Sequence, residues 1–282
     1  MKPEIVDPID IALREDIGTG DVTTDAFVSK SVRAGARIVA RESAIVAGTE
    51  TAAEVFRRVD SALKIRVLSK DGTEVKVGDS VIELHGSARS ILKAERVALN
   101  FLQRLSGIAT VTRKFVDAAG NKHVKILDTR KTTPGLRAFE KAAVVAGGGA
   151  NHRSGLFDMV MLKDNHLALS AGFDSFAKAV EKFRGEHPNM QIEVEADTLE
   201  QVHTFLQING IDVVLLDNMK AAQIREAIAL GKGRVQFEAS GGITLHNIRQ
   251  IAATGVDYIS VGALTHSPRA IDFSLEITNA GA

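Results

Sequence analysis

Apolar and polar positions follow a mixed pattern up to about residue 120 of this 282-residue chain and a regular one after it. In the first part, residues 32–46 (VRAGARIVARESAIV) alternate in strand fashion and 50–59 read as a helix. Residues 64–84 form short strands around the turn pairs Asp71-Gly72 and Gly78-Asp79. From Ser87 the period becomes helical. Ile91, Ala94, Ala98, Leu102 and Leu105 line one face, and Arg89, Lys93, Arg96, Asn100 and Arg104 line another. Gly107 is expected to break or bend this long helix before a second helical run to Ala118.

After Asn121, short apolar runs recur at 124–127, 159–162, 192–194, 213–216, 235–237 and 258–261, with helical stretches between them. The first of those helices is expected to open at Thr133-Pro134, as N-cap and first helical residue, and to close at Gly147. Strands alternating with helices predict a parallel sheet built of βαβ crossovers. Most of the strands end in polar residues: Asp128 to Lys131, Lys163-Asp164-Asn165, Glu195 and Asp197, Asp217-Asn218, and Glu238 to Gly242. The carboxyl ends of parallel strands are where α/β barrels carry active sites. Six strands are too few for an ordinary eight-stranded barrel. The expected fold class is therefore α/β: an N-terminal α+β sandwich domain over 1–108 and an irregular six-stranded α/β barrel over 109–267. Residues 268–282 are expected to return to the first domain.

Composition narrows the function classes. The 35 basic and 35 acidic residues cancel, whereas a nucleic-acid or acidic-membrane surface usually leaves a basic excess, so neither partner is expected. There is no cysteine, which removes disulfides, thiol catalysis and zinc-thiolate sites. The N-terminus has no apolar signal region and no run reaches the length of a membrane span, so a cytoplasmic location is expected.

Against that neutral background, residues 128–166 concentrate Arg130, Lys131, His152, Arg153 and Lys163 at or near the ends of apolar runs. Such a cluster suits a small polyanion, with the arginines supplying bidentate geometry. Glu195 and Asp217 end neighbouring strands, and two carboxylates facing one cavity suit a metal ion, its waters or ribose hydroxyls. Ser240-Gly241-Gly242 and Gly262 follow the last two strands, where barrels build phosphate sites from loop N–H groups. Each feature has a plainer reading. Arg96 could be a solvated charge on a helix face, His152 a structural residue, and Glu195 and Asp217 partners of nearby Lys or Arg. The glycines could serve turns only, and Gly147 to Gly149 could be a flexible connection.

The segments DTRKTTPGLR, GGGANHRSGLFD, MLKDNH, EVEADT, LLDNM and EASGGIT occur in this order, after GDVTT, RESAIVAG and ERVALNFLQRLSGIAT. Together they resemble the quinolinate phosphoribosyltransferase family, which has the barrel type of phosphoribosyltransferase fold (type II) and lacks the acidic-pair signature of the flavodoxin-like type. The resemblance implies that quinolinate and phosphoribosyl pyrophosphate become nicotinate mononucleotide, pyrophosphate and carbon dioxide, with Mg²⁺, in NAD biosynthesis. It also implies a quinolinate site of Arg130, His152, Arg153 and Lys163, completed by Arg96 from the other subunit of a homodimer, or of a larger assembly. Lys131, Glu195, Asp217, Ser240, Gly241, Gly242 and Gly262 would take the donor. Glu195 and Asp217 would meet the metal, directly or through water. The catalytic set would be Arg130, Lys163, Glu195 and Asp217.

Rival readings are a nicotinate-type phosphoribosyltransferase, a molybdenum-transport-associated homologue of the same fold, and a Schiff-base aldolase using Lys163. Residues 64–86 also resemble a lipoyl- or biotinyl-carrier hairpin, but the corresponding upstream turn region, RESAIVAG, has no lysine to modify.

Overall fold

The computed structural model describes residues 7–163, 166, 169 and 172–281. The chain forms two compact units. The first comprises Met1–Val111, Thr133–Gly148 and Ser267–Ala282, and the second comprises Thr112–Thr132 and Gly149–His266. No described helix is long and apolar enough to cross a membrane.

In the first unit, α1 (Pro8–Ile17) and α2 (Val22–Phe27) are each capped by an aspartate, Asp7 and Asp21, that accepts a backbone N–H of the first turn. The strand-like stretch at 32–46 is divided into β1 (Arg33–Ala40) and β2 (Ala44–Ile45). The predicted turn at Asp71-Gly72 has a second task. The Asp71 carboxylate accepts the N–H groups of Gly48 and Thr49 and the Thr49 hydroxyl, and so caps α3 (Thr49–Val59) from across the chain. Short strands β3 (Lys64–Val67) and β4 (Glu74–Val75) lead to β5 (Ser80–Ser87).

The long helix α4 (Ala88–Ala119) buries Ile91, Ala94, Ala98, Leu102 and Leu105, the face its period predicts. Gly107 does not interrupt it. A Cβ at Gly107 would lie 2.1 Å from the Arg269 carbonyl oxygen, so glycine serves a close backbone approach and the helix runs through.

Beyond β6 (Lys125–Leu127), helix α5 (Arg137–Ala146) starts later than predicted. Thr133-Pro134-Gly135-Leu136 is a turn, closed by the Leu136 N–H on the Thr133 carbonyl, with Gly135 at φ +81°. Thr133 and Glu140 instead form part of a buried clamp. Glu140 accepts the Arg104 guanidinium at 2.9 Å and the Thr133 N–H at 3.1 Å, and Arg104 also donates to the Thr133 hydroxyl. The predicted stop at Gly147 is the C-cap.

The second unit continues with β7 (Val160–Leu162), α6 (Phe173–Glu186), β8 (Ile192–Ala196), α7 (Leu199–Phe205), β9 (Val213–Asp217) and α8 (Ala221–Gly231). Then come β10 (Gln236–Ser240), α9 (Ile248–Ala252), β11 (Tyr258–Ser260) and α10 (Ala263–His266). The six strands form one sheet in the order β6-β11-β10-β9-β8-β7, all parallel. Ala150 adds a parallel bridge to Leu127 at the β6 edge, which the apolar runs do not reveal.

On β8, alternation sends Ile192, Val194 and Ala196 to one face and Glu193 and Glu195 to the other. Buried Phe176 and Phe205 from α6 and α7 meet with their ring centroids 6.1 Å apart. Arg153, three residues past the bridge to the β6 edge, reaches Met161 on the opposite edge strand β7. One residue spanning both edges requires a curled sheet, the irregular α/β barrel.

The last strand, β12 (Phe273–Gly281), pairs antiparallel with β1 in the sheet β12-β1-β5-β3 of the first unit. Ile38 faces Leu275 on one side and Ile82 on the other. These residues belong to a core with Phe56, Ile91 and Leu102.

Candidate active site

Strand register brings the polar strand ends of the second unit together. Asp217 is paired with Ser240 at the carboxyl ends of β9 and β10, and Glu195 is paired with Leu215, two residues before Asp217. Lys163, one residue beyond β7, forms an ion pair with Glu195. The plainer sequence reading of Glu195, a carboxylate paired with a nearby lysine, is thus realised in this structure. Asp164 and Asn165 of the same motif lie outside the described residues.

Arg130 and Lys131 follow β6 and are both exposed. The Arg153 guanidinium is held below its ordinary range, first by burial and then by the positive charge of Arg130, with Glu193 and Asp158 opposing. Arg96 lies on α4 in the first unit and is exposed.

The loops after the last strands are shaped by what glycine permits. Gly241 has φ +85°, and a Cβ there would lie 2.2 Å from the Asn218 amide oxygen. Asn218, itself at φ +55°, donates its N–H to the Ser240 carbonyl and its side-chain amide to Asp217 at 2.7 Å. A Cβ at Gly262 would come 3.1 Å from Lys131 Cδ and 3.2 Å from the His266 ring. Glycine there lets the Lys131 and His266 side chains lie over the loop. The Lys131 carbonyl accepts the buried Thr265 hydroxyl at 2.7 Å, which ties the Lys131 loop to α10.

His152 points inward. Its N–H donates to Asp128 at 2.9 Å, its Nδ1 accepts the Arg153 N–H at 2.7 Å, and its Nε2 lies 3.1 Å from Glu193 and 3.4 Å from Glu238. Both glutamate side chains are only 2% exposed. Burial alone would lower the imidazole pKa, but the hydrogen bonds to Glu193 and Glu238 outweigh it and push it upward. Burial drives Glu193 up to about 7, partly countered by His152. The Oε1 atoms of Glu193 and Glu238 have no partner among the described residues. The cluster borders a cavity of about 210 Å³ whose wall includes Leu127, Arg153 and Tyr258.

Sequence reasoning named Asp128, Asn218 and Glu238 only as polar strand ends and did not single out Glu193, Thr265 or His266. The available signal was the Glu-Val-Glu alternation, which puts Glu193 on the same face as Glu195; Glu238, expected just past its strand, lies within β10, which runs on to Ser240. Among the described residues, His152, Glu193 and Glu238 are three side chains close enough together to share one metal ion.

A curled parallel sheet with cations and carboxylates at its carboxyl ends defines an α/β-barrel enzyme acting on anionic small molecules. Comparison with known proteins sharpens the class. Residues 21–106 match the model of the quinolinate phosphoribosyl transferase N-terminal domain, and 108–276 match that of the C-terminal domain. The chain belongs to this family. It is 43% identical over 285 residues to the rice (Oryza sativa subsp. japonica) protein named nicotinate-nucleotide pyrophosphorylase [carboxylating], chloroplastic, covering 95% of this chain and 76% of the relative. It is 42% identical over 264 residues to the probable nicotinate-nucleotide pyrophosphorylase [carboxylating] of Bacillus subtilis, covering 94% and 90%. Among solved structures, NadC from Streptococcus pyogenes superposes with a TM-score of 0.90 at 41% identity, covering 97% and 95% of the two chains.

Proposed function

We propose that this enzyme transfers the phosphoribosyl group of phosphoribosyl pyrophosphate to quinolinate and decarboxylates the product to nicotinate mononucleotide, a step of NAD biosynthesis carried out in the cytoplasm. The carrying observation is the gathering of Arg130 after β6, Arg153, which reaches Met161 on β7, and Lys163 after β7. Two guanidinium groups and an ammonium suit the two carboxylates of quinolinate better than the single one of nicotinate. With Lys163, the pair would fix a flat diacid while its ring nitrogen stays free.

The nitrogen lone pair would attack the anomeric carbon as the bond to pyrophosphate breaks and the electron pair leaves with pyrophosphate. The ring nitrogen is then cationic. It holds the electron pair left on the ring carbon when the adjacent carboxylate departs as carbon dioxide, and that carbanion takes a proton from water. Little acid–base assistance is needed, because positioning and fixed charge supply most of the acceleration.

On the donor side we assign Lys131, Ser240, Gly241, Gly242 and Gly262 to the phosphates, with Glu195 and Asp217 toward the ribose. Mg²⁺ bound with the donor would neutralise charge on the leaving pyrophosphate. Glu195 and Asp217 offer the hard oxygen donors it prefers, directly or through water. We further assign Arg96 to the site of a partner subunit in a homodimer. The test is turnover of quinolinate labelled in the carboxylate next to the ring nitrogen: labelled carbon dioxide must appear in step with nicotinate mononucleotide.

A further inference from the structure

We propose that Glu193 and Glu238 are positioning residues of the quinolinate site, fixing the His152 imidazole in one tautomer and, through it, the backbone that presents Arg153. This rests on the reaction proposed above.

Two carboxylates buried inside a barrel are costly unless they are paired, and leucine or valine would fill the same space without that cost. The positions paired with them on the intervening strand β9 are buried Val213 and Leu215. The glutamates converge instead on one nitrogen of one histidine.

The other nitrogen decides what the cluster is. Glu193 and Glu238 favour the charged ring, but Nδ1 accepts the Arg153 N–H at 2.7 Å and so carries no proton; the one ring proton is assigned to Nε2, which donates to Glu193 and Glu238. A metal ion among these three residues would need the Nε2 lone pair, which this tautomer does not offer. The cluster is therefore organised around a proton.

Its consequence passes to the next residue. With His152 N–H on Asp128 and Arg153 N–H on the imidazole, residues 152 and 153 are fixed at successive amides. Asp158 accepts the following two, the N–H groups of Ser154 at 2.6 Å and Gly155 at 2.9 Å. Four consecutive amides are thus committed within this segment and to Asp128, and only the Arg153 side chain is left to turn toward Met161 and Arg130. A guanidinium held beside another of like charge needs such a rigid base.

The experiment joins spectroscopy to kinetics. In the full-length wild-type enzyme labelled with ¹⁵N-histidine, the resonance lost in His152→Gln should show an unprotonated Nδ1 and a protonated Nε2. A protonated Nδ1 overturns the inference. In kinetics, the pair Glu193→Leu and Glu238→Leu should lower kcat/KM for quinolinate by about 10- to 100-fold, the scale of small misplacements, with the donor KM nearly unchanged. The pair Glu193→Gln and Glu238→Gln, which keeps acceptors for Nε2, should recover most of that loss. Equal losses toward both substrates, or none, overturn the inference. If the leucine variant does not fold, the wild-type tautomer decides. A wild-type enzyme inactive on quinolinate would refute the proposed reaction, and the tautomer would still report on the glutamates.

Discussion

Lys163 and Glu195 are paired with each other at the ends of neighbouring strands β7 and β8, although the proposed chemistry assigns them to different substrates. The side chains are 41% and 13% exposed, so the bridge is partly in water and contributes little to stability, about 0.2–1 kcal/mol. On the proposed assignment, each substrate would compete with one half of it. Lys163→Ala should reduce kcat/KM for quinolinate by roughly 10- to 100-fold, the loss of a charge-assisted bond of about 1.5–3 kcal/mol. Glu195→Gln should act mainly on the donor KM. Steady-state kinetics with each substrate varied separately check both, and equal effects on both KM values would contradict the assignment.

Arg96 offers a test of the shared site. If it serves the partner subunit, Arg96→Ala and Arg153→Ala enzymes should each be nearly inactive, and mixing the two after mild dissociation should restore activity. A mixed dimer retains one site with both arginines intact. Absence of rescue, with subunit exchange verified by mass, would place Arg96 outside the site.

Gly107 is a packing requirement inside a helix. Gly107→Ala should gain up to about 1 kcal/mol of helix propensity and lose more than that to the clash with the Arg269 carbonyl, where overpacking typically costs about 1–3 kcal/mol. The urea midpoint should fall. An unchanged or higher midpoint would mean that residues 269–270 move aside freely.

The pH dependence of stability has an identifiable contributor in the first unit. Burial raises the pKa of Glu95 above its ordinary value of 4.5, partly countered by Arg96. A group that binds its proton more tightly when folded adds stability fully present below the unfolded pKa and lost as pH rises through the folded one. Wild-type stability should therefore decline as pH rises from 4.5 through the elevated folded value. Glu95→Gln should flatten that slope. Urea unfolding at a series of pH values measures it, and equal slopes in the two proteins would contradict it.

The strand pattern of the second unit was legible because a short β-branched run that ends in polar residues suits a buried parallel strand and little else. The cations and carboxylates at the strand ends were legible for the same reason. Three features were not. Thr133-Pro134 reads equally well as a helix start or a turn, and Gly135 together with the Glu140 clamp decides for the turn. Gly107 reads as a helix breaker until the Arg269 backbone is seen against it. Glu193 and Glu238 sit inside apolar strands, and only the curl of the sheet that brings His152 between them makes them a unit.

The central claim is that the guanidinium pair is built for a dicarboxylate. The most direct measurement is mass-spectrometric product analysis of the enzyme with phosphoribosyl pyrophosphate, Mg²⁺ and either quinolinate or nicotinate. The predicted result is nicotinate mononucleotide and carbon dioxide from quinolinate, with no product from nicotinate. Nucleotide formed from nicotinate alone, or from neither acid, would contradict it.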